Sequence, residues 1–430
     1  MLIFVEKVNE RLTYAFDFIF KERDLDYMFT SDESEFEEYS EAKFNYSNKN
    51  LGNAPSIVPS SILFEKNITN YSIDLSLFNK EECFSLNGIC DPVACIFYIL
   101  TRYEEYQSKF KDKHGRHIGK KSVLYQFGWH EKAVCDRWSE NILFFISSQT
   151  SFRFEKKKYS PQIIPTFDID KAYAYKHKGI LRNILGYLKD FYSRDTKRTK
   201  ERRMVLSGSK KDPFDNYDKI FDIQGRGFDV KLFWMLGNYG KYDKNISHKN
   251  RRHRRLIRKM DTIASIGIHP SYRSNSNEFN IHSEIERLQS IIKKHVRSSR
   301  QHYLMLLLPQ TYQQLIEQEI QDDYSMGYAD IIGFRAGTAR SFHWFDLTKN
   351  KKTALRVHPF CYMDGSLNEY LQLSTNEAEE RIAQLYIETQ NYGGQFIFLW
   401  HNDTISDYGH WAGWSKVLEF SLRLHELQES

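Results

Sequence analysis

The nine residues "QIIPTFDID" (Gln162–Asp170) decide how the larger part of the chain is interpreted. An apolar run ends here in two carboxylates, Asp168 and Asp170, one residue apart. Side chains of an extended strand alternate between its faces, so both carboxylates point the same way where a buried strand ends. Two neighbouring anions need a cation, a shared proton or open water. The stretch predicts either a helix cap beside a solvated carboxylate or a reactive, metal-binding pair.

Similar apolar runs recur along the rest of the chain, separated by polar corners and amphipathic segments. They are "FDVKLFWML", "ASIGIHP", "HYLMLLLP", "DIIGFR" and "GGQFIFLWHN". Between two of them, "HSEIERLQSIIKKHV" places its isoleucines and its leucine on one helical face. Strands that alternate with helices predict a parallel α/β sheet, either open or closed as a barrel.

Reactive groups of parallel α/β proteins gather at the carboxyl ends of the strands. Beyond the carboxylate pair, three of the runs end in a candidate: His269, Arg335, and His401 with Asn402. Arg300 and His302 instead lie at the start of the run "HYLMLLLP", where this rule does not expect them. For His302 we favour a structural role.

Length and composition indicate a globular protein of two domains. The 430 residues are 41% hydrophobic and 15% aromatic, which excludes a chain that is disordered throughout. The charged stretch "RFEKKKYSP" is typical of a linker. We therefore expect a smaller α/β domain at 1–150, with no obvious catalytic cluster, and a second domain at 161–430.

Other features narrow the class of protein. The five cysteines are odd in number and lack a CxxC pair, which argues against a zinc knuckle or a disulfide framework. The first residues lack the features of a secretory signal, and no apolar run reaches membrane-spanning length, so we expect a cytoplasmic protein.

The net charge of +5 is concentrated in two basic clusters, Arg194–Arg203 and His248–Lys259. Such clusters usually form a solvated face, and the chain lacks the glycine-aromatic signature of an RNA-binding sheet, so we expect no nucleic-acid partner. Attraction to an anionic glycan, or peripheral contact with an acidic membrane surface, would explain the same charges.

Four motifs, in order, resemble those of the polysaccharide deacetylase family, carbohydrate esterase family four. "TFDID" is similar to the first motif, which implies that Asp168 is the general base and Asp170 a metal ligand. "IGIHPSY" resembles the second motif and implies that His269 is a metal ligand. "SRQHY" and "LWHND" resemble later motifs, with Arg300 holding the base and His401 acting as general acid.

This resemblance covers well over half the chain and implies a distorted (β/α) barrel at residues 161–430. The opening domain, with "LTRYEEY" and "CDRW", resembles an uncharacterised module that precedes such deacetylase domains in some bacterial proteins. The resemblance also implies a divalent metal, zinc first, and an N-acetylated glycan or glycan precursor as partner.

The second motif departs from the family at Arg273, where a further metal-binding histidine is usual. Either His282, Ser271 or Asn275 completes the shell, or the metal binds weakly or not at all. The segment "DYSMGYADIIGFRAGTARSFHWFD" matches the family's fourth motif poorly, and Arg335 within it is assigned to substrate binding or support. Tyr272, Trp400 and Asn402 lie beside the motifs and are assigned to substrate binding.

The leading hypothesis is a metal-dependent hydrolase that removes N-acetyl groups from an amino sugar in a polysaccharide or glycan precursor. Hydrolysis of an acetamide requires an activated water, a stabilised oxyanion and a proton for the departing amine. Three alternatives stay open: an inactive carbohydrate-binding homologue, motivated by Arg273; a metal-free hydrolase of another C–N bond; and a nucleic-acid or membrane-surface binder that uses Arg251–Arg255.

Overall fold

The structure is a computed structural model that describes residues 1–276 and 278–428. The first 150 residues contain two small sheets and six helices. Their strands are β1 (Leu2–Val5), β2 (Met28–Thr30), β3 (Lys43–Tyr46), β4 (Ile73–Phe78), β5 (Glu81–Leu86) and β6 (Ile89–Cys90). Their helices are α1 (Glu10–Phe20), α2 (Glu33–Glu38), α3 (Pro92–Leu100), α4 (Tyr103–Gln107), α5 (Val123–Gln126) and α6 (Val134–Ser147).

Parallel pairing of β1 with β2 and β3 forms one of these sheets, and antiparallel pairing of β4, β5 and β6 forms the other. Helix α1 begins where the Asn9 side chain accepts a hydrogen bond from the Leu12 backbone N–H, which satisfies a donor that the helix start leaves open. Leu12, Phe16 and Ile19 lie on one face of α1 and are fully buried, so this helix anchors the core of the first region.

The second region begins with β7 (Gln162–Ile169). Its other strands are β8 (Lys231–Trp234), β9 (Ser265–Ile268), β10 (Ser298–Ser299), β11 (Asp322–Asp323), β12 (Phe342–Asp346), β13 (Lys351–Val357), β14 (Tyr362–Met363) and β15 (Gln395–His401). Its helices are α7 (Ile180–Tyr192), α8 (Thr196–Leu206), α9 (Tyr217–Gly225), α10 (Arg251–Met260), α11 (Glu278–Ile292), α12 (Gln310–Glu317), α13 (Thr375–Tyr392) and α14 (Ser415–Leu422).

These nine strands form one sheet in the order β12-β13-β11-β10-β9-β8-β7-β15-β14. All neighbouring pairs are parallel except β12 with β13. The predicted α/β class with a parallel sheet is therefore confirmed. Within the described part of the chain no pairing joins the edge strands β12 and β14, so closure of the sheet into a barrel stays a prediction.

Two of the expected strands are wrong. In "HYLMLLLP" the segment His302–Leu304 is a 3-10 turn, and Tyr303 and Leu304 adopt positive φ angles of 59° and 52°, which no strand allows. The strand ends earlier, as β10. Arg300 and His302 therefore follow the carboxyl end of a strand after all, which is the position that the α/β rule expects.

The run "DIIGFR" is also not a strand. It is a buried connection: the Gly333 N–H donates to the Cys361 carbonyl at 2.7 Å, and the Phe334 N–H donates to the His130 carbonyl at 2.7 Å. Gly333 has φ 114°, and a Cβ there would lie 2.0 Å from the His130 oxygen. The apolar side chains are buried between the two regions of the chain rather than in a sheet layer.

The hydrophobic core continues from the first region into the second. The rings of Tyr14 in α1 and Phe97 in α3 contact Phe345 of β12, with centroids 5.1 and 5.3 Å apart. In the described ranges, no helix combines the length and the apolar character needed to cross a bilayer.

Candidate metal and catalytic site

The sheet positions the first catalytic candidate between β8 and β15. Asp168, near the end of β7, lies in register with Phe233 of β8 on one side and His401 of β15 on the other. Paired residues of parallel strands point to the same face, so Asp168 and His401 open to the same side of the sheet. Both side chains line one cavity of about 440 Å³.

Three donors converge beside Asp168. Asp170 Oδ1 lies 3.1 Å from His269 Nε2, and Asp170 Oδ2 lies 3.3 Å from His302 Nε2. One ligand atom from each of these residues lies within 4.8 Å of the others. Apart from this contact with each other, Asp170 Oδ1 and His269 Nε2 are buried and have no hydrogen-bond partner among the described residues. A carboxylate with two imidazole nitrogens is a donor set that Zn²⁺ accepts while positions for water stay open.

Neighbouring groups fix both rings in the orientation that a metal ligand needs. His269 Nδ1 donates to the Arg300 carbonyl at 2.7 Å, and His302 Nδ1 donates to Asp243 Oδ1 at 3.1 Å. The Nε2 atoms are therefore the ones that face Asp170. Burial lowers the pKa of His302, but Asp170 and Asp243 together raise it to about 9. A proton or a cation is thus required between these rings and the carboxylate.

The third donor is His302 and none of the three residues that the sequence suggested. His282 is half-exposed and contacts Gln318 instead. Ser271 binds Glu284 through both its N–H and its hydroxyl. Arg273 is exposed, and its guanidinium lies beside Gly240 rather than within the three-residue group.

The last of the suggested ligands, Asn275, is a partly buried residue of a 3-10 turn. Both polar atoms of its side chain are buried and have no hydrogen-bond partner among the described residues. His302, for which we favoured a structural role from the sequence, lies in this three-residue group, and its role as a metal ligand is a proposal.

Arg300 is fully buried below Asp168. Its Nη1 donates to Thr166 Oγ1 at 2.6 Å and to Asp168 Oδ1 at 3.4 Å, while its Nε donates to the Tyr324 carbonyl at 2.9 Å. The guanidinium carbon lies 4.7 Å from the Phe233 ring centre, so the cation is held between polar partners and an aromatic face. The guanidinium therefore fixes the position of the Asp168 carboxylate at the end of β7.

His401 forms a second carboxylate–histidine pair on the other side of Asp168. Its Nδ1 contacts Asp364 Oδ1 at 3.0 Å, which leaves Nε2 as the unengaged nitrogen. Asp364 is fully buried and also accepts from the His401 N–H and the Thr404 hydroxyl. Burial lowers the pKa of His401, but Asp364, with Asp170 and Asp168, raises it well above its ordinary value. His401 therefore holds a proton near neutral pH.

The cavity above these groups has polar, cationic and aromatic walls. Arg116 comes from the first region of the chain, donates to the Tyr303 carbonyl and the Tyr370 hydroxyl, and pairs with Asp112. Aromatic and basic side chains complete the wall: Tyr242, Tyr303, Tyr370, Trp411, Lys171, Lys241 and Lys244. Flat rings beside polar groups suit a sugar ring, and both regions of the chain contribute to this surface.

The four residues assigned to substrate lie outside the cavity lining. Arg335 is buried and forms a bidentate pair with Glu105 at 2.6 and 2.9 Å. Trp400 is fully buried in the core, because alternate residues of β15 face away from the cavity. Asn402 is buried and donates to the carbonyls of Lys171 and Phe214. These positions do not fit a direct contact with substrate.

The fourth of these residues, Tyr272, is partly buried and stacks against the cavity residue Tyr242, with ring centroids 4.3 Å apart. Tyr272 therefore contacts a residue that lines the cavity but does not line the cavity itself.

Sequence reasoning missed three acidic or basic groups of the site: Asp364, Asp243 and Arg116. Asp364 had a usable signal, because it ends the short apolar run "FCYM" as Asp168 ends its own. Asp243 and Arg116 lie in loops and carry no such signal. Only the folded chain brings them to the site.

Comparisons with known proteins are limited to part of the chain or to weak similarity. Residues 1–151 match a family described as "Family of unknown function (DUF7033)". No curated protein sequence matches significantly. A putative polysaccharide deacetylase from Mycobacterium smegmatis is 13% identical with a TM-score of 0.38, over 62% of this chain and 89% of that one.

Two further solved structures are similar at a comparable level. A polysaccharide deacetylase from Bacillus cereus is 11% identical with a TM-score of 0.33, over 63% of this chain and 89% of that one. A GH138 enzyme that targets pectin rhamnogalacturonan II is 9% identical with a TM-score of 0.27, and the match covers 100% of this chain but 52% of the enzyme. Similarity at these scores carries no argument here, so the proposals below depend on the residues and their geometry.

Proposed function

We propose that this protein is a metal-dependent hydrolase that removes the N-acetyl group from an amino sugar of a glycan or glycan precursor. One observation carries the proposal. An arginine-held carboxylate (Asp168), a three-donor cluster around Asp170, and a histidine paired with a buried carboxylate (His401 with Asp364) line or adjoin one cavity. These are the base, the metal site and the acid that acetamide hydrolysis requires.

A divalent cation held by Asp170, His269 and His302 would supply the Lewis acid that lowers the pKa of a bound water and polarises the acetyl oxygen. Asp168 accepts the proton of the attacking water, since its Oδ2 lies 3.8 Å from His269 Nε2 at the edge of the cluster. Arg300 donates to Asp168 Oδ1 at 3.4 Å and fixes the orientation of the carboxylate.

His401 donates the second proton. Its Nδ1 is engaged by Asp364, so Nε2 carries the proton that the departing sugar nitrogen needs when the C–N bond breaks. Without that proton the amine is a very poor leaving group. The pairing in register of His401 with Asp168 supports acid and base acting on one bound substrate.

Strong curvature of the sheet supports the barrel that the motifs imply. Five strand spacings separate β10 from β14 in the sheet order. In a flat sheet they would lie roughly 24 Å apart. Yet His302, just after β10, and Asp364, just after β14, line the same cavity of about 440 Å³. We infer that the second region is a distorted (β/α) barrel with its site at the carboxyl ends of the strands.

The test is acetate release from N-acetylated chito-oligosaccharides by the full chain, after chelation and after re-addition of Zn²⁺. We expect release that depends on added metal and falls by at least about 10³-fold in Asp168→Asn, because loss of the base removes general base catalysis. Asp218→Asn is the matched control, since Asp218 is exposed and pairs only with Lys211 on the surface. Its rate should equal that of the unchanged protein.

Acetate release that persists in Asp168→Asn, or that is insensitive to chelation, would contradict the proposal and favour a metal-free hydrolase. Glycan binding without any acetate release would favour the inactive homologue. The motive for that alternative was a missing ligand at Arg273, and His302 supplies the third donor instead.

A further inference from the structure

Helix α7 has the reverse of the usual pattern of burial. Its only buried residue is Asp190, whereas its large apolar residues face solvent. Ile180, Leu181 and Phe191 are 82%, 71% and 76% exposed, and Ile184, Leu185 and Leu188 are also about half exposed or more. A surface helix normally buries its apolar face, and contiguous exposed apolar patches of this kind mark an interaction site.

Polar groups hold this helix to the rest of the protein, which explains how the apolar face stays open. Asp190 accepts two hydrogen bonds from the buried Arg202 of α8, at 2.8 and 2.9 Å. The Arg202 guanidinium also lies over the rings of Tyr175 and Tyr187. At the other end, Arg182 donates to the carbonyls of Lys244 and Asn245. Polar and cation–π contacts thus attach the α7–α8 hairpin (residues 178–206) to the rest of the protein, and the leucine side chains of α7 take no part in this attachment.

The hairpin is also strongly basic. Residues 178–206 contain nine lysines and arginines against three acidic residues, so their net charge exceeds the +5 of the whole protein. Most of the positive side chains of α8 are exposed, among them Lys197, Lys200 and Arg203. An apolar face next to a band of exposed cations is the composition of a helix that lies in the interface of a lipid bilayer.

We propose that the α7–α8 hairpin binds the surface of a membrane that contains anionic lipids. Ile, Leu and Phe side chains of α7 enter the acyl boundary, and the cations of α8 contact the lipid headgroups. The attraction of these cations to an anionic surface falls off within a Debye length, so it weakens as salt is added. A second copy of this chain fits the surface less well, because two strongly basic hairpins repel each other.

The hairpin lies next to the catalytic cavity. It begins eight residues after Asp170, and Arg182 binds the carbonyl of the cavity residue Lys244. Membrane binding through α7 would therefore place the cavity close to the bilayer surface.

The test is sedimentation of the full chain with sucrose-loaded vesicles of phosphatidylcholine, with and without 30% phosphatidylglycerol. We expect binding to the anionic vesicles that weakens as salt is added. The double variant Leu181→Asp/Leu188→Asp should reduce the partition coefficient at least about ten-fold, because it removes two apolar contacts and adds repulsion. These residues are 71% and 47% exposed, so the fold does not depend on them.

Leu77→Asp/Ile387→Asp is the matched control, since these residues lie elsewhere and are 66% and 52% exposed. It should bind vesicles as the unchanged protein does. The proposal is overturned if anionic vesicles do not sediment the protein, or if both double variants bind equally. It is also overturned if the Leu181/Leu188 variant abolishes a concentration-dependent dimer and leaves vesicle binding intact. Circular dichroism melting of both variants checks that they are folded.

Discussion

The site contains two pairs in which a carboxylate contacts the Nδ1 atom of a histidine. The two histidines nevertheless have different surroundings and different proposed roles. Asp243 holds His302 so that its Nε2 faces Asp170, where a cation can replace the proton. Asp364 holds His401 away from the three-donor cluster, so that ring keeps its proton. The roles of the two histidines therefore depend on what their Nε2 atoms face, and not on the carboxylate at Nδ1.

Asp364→Asn should shift the alkaline limb of the pH–activity profile. Burial lowers the pKa of His401 and Asp364 raises it, with a net rise well above the ordinary value. An acid of raised pKa is active below that pKa and inactive above it, so activity is lost as the pH rises through it. Removing the charge of Asp364 lowers the pKa, and we expect the limb to move to lower pH by about 1–3 units. A kcat/KM profile between pH 5 and 10 measures this shift.

Asp403→Asn is the control for this shift, because Asp403 lines the same cavity but pairs with Lys171 at 3.6 Å. Its alkaline limb should not move. If Asp364→Asn lowers the rate equally at every pH, Asp364 only positions the ring and does not hold its proton.

At the scale of the secondary-structure elements, four of the six apolar runs became strands as predicted, and the two-residue strands were not predictable. The runs that became β7, β8, β9 and β15 were found from their composition, and with them Asp168, Asp170, His269 and His401. Strands β10, β11 and β14 have two residues each, too few for any periodicity to indicate. His302 and Asp364 follow two of these short strands, which is why the sequence did not assign them to the site.

Gly267→Ala should disturb the site through the packing of its strands. Gly267 lies in β9, and an added Cβ would approach the Ser298 carbonyl and the Phe233 ring to 2.7 Å each. The neighbouring strand β10, which leads into Arg300 and His302, must shift to relieve this contact. We expect a loss of about 1–3 kcal/mol in the free energy of unfolding and weaker binding of Zn²⁺. Urea unfolding and metal titration by calorimetry measure the two effects.

Gly225→Ala provides the comparison, because a Cβ at Gly225 in α9 meets nothing within 4 Å. An alanine in a helix there should leave stability unchanged or raise it by about 0.5–1 kcal/mol, without any effect on metal binding. Equal behaviour of the two variants would contradict the importance of the β9–β10 contact.

At the scale of the whole molecule, buried ion pairs join the two regions of the chain. Arg335 reaches Glu105 of α4, and Arg340 reaches Asp136 of α6, which also binds Arg23. No local pattern predicts such pairs, because the partners lie about 200 residues or more apart in the sequence. Arg335, assigned from the sequence to substrate binding or support, forms one of these pairs and lies outside the cavity lining.

Arg335→Met should destabilise the whole protein in a single transition, since both regions share this contact and one hydrophobic core. Removing one partner of a buried ion pair costs about 3–5 kcal/mol. Arg226→Met is the matched control: it breaks the partly exposed pair with Glu419 and should cost about 0–1 kcal/mol.

Burial raises the pKa of Glu105, but Arg335 and Arg102 lower it far below its ordinary value of 4.5.

A carboxylate with a depressed pKa stabilises the folded state above its ordinary pKa, and the effect is lost as the pH falls below it. The difference in the free energy of unfolding between Arg335→Met and the unchanged protein should therefore have its full size at pH 7. It should shrink progressively below about pH 4.5. Urea unfolding followed by tryptophan fluorescence and by far-ultraviolet circular dichroism at several pH values measures both the size of the difference and its cooperativity. Two separate transitions at pH 7 would mean that the regions fold independently and that the pair does not couple them.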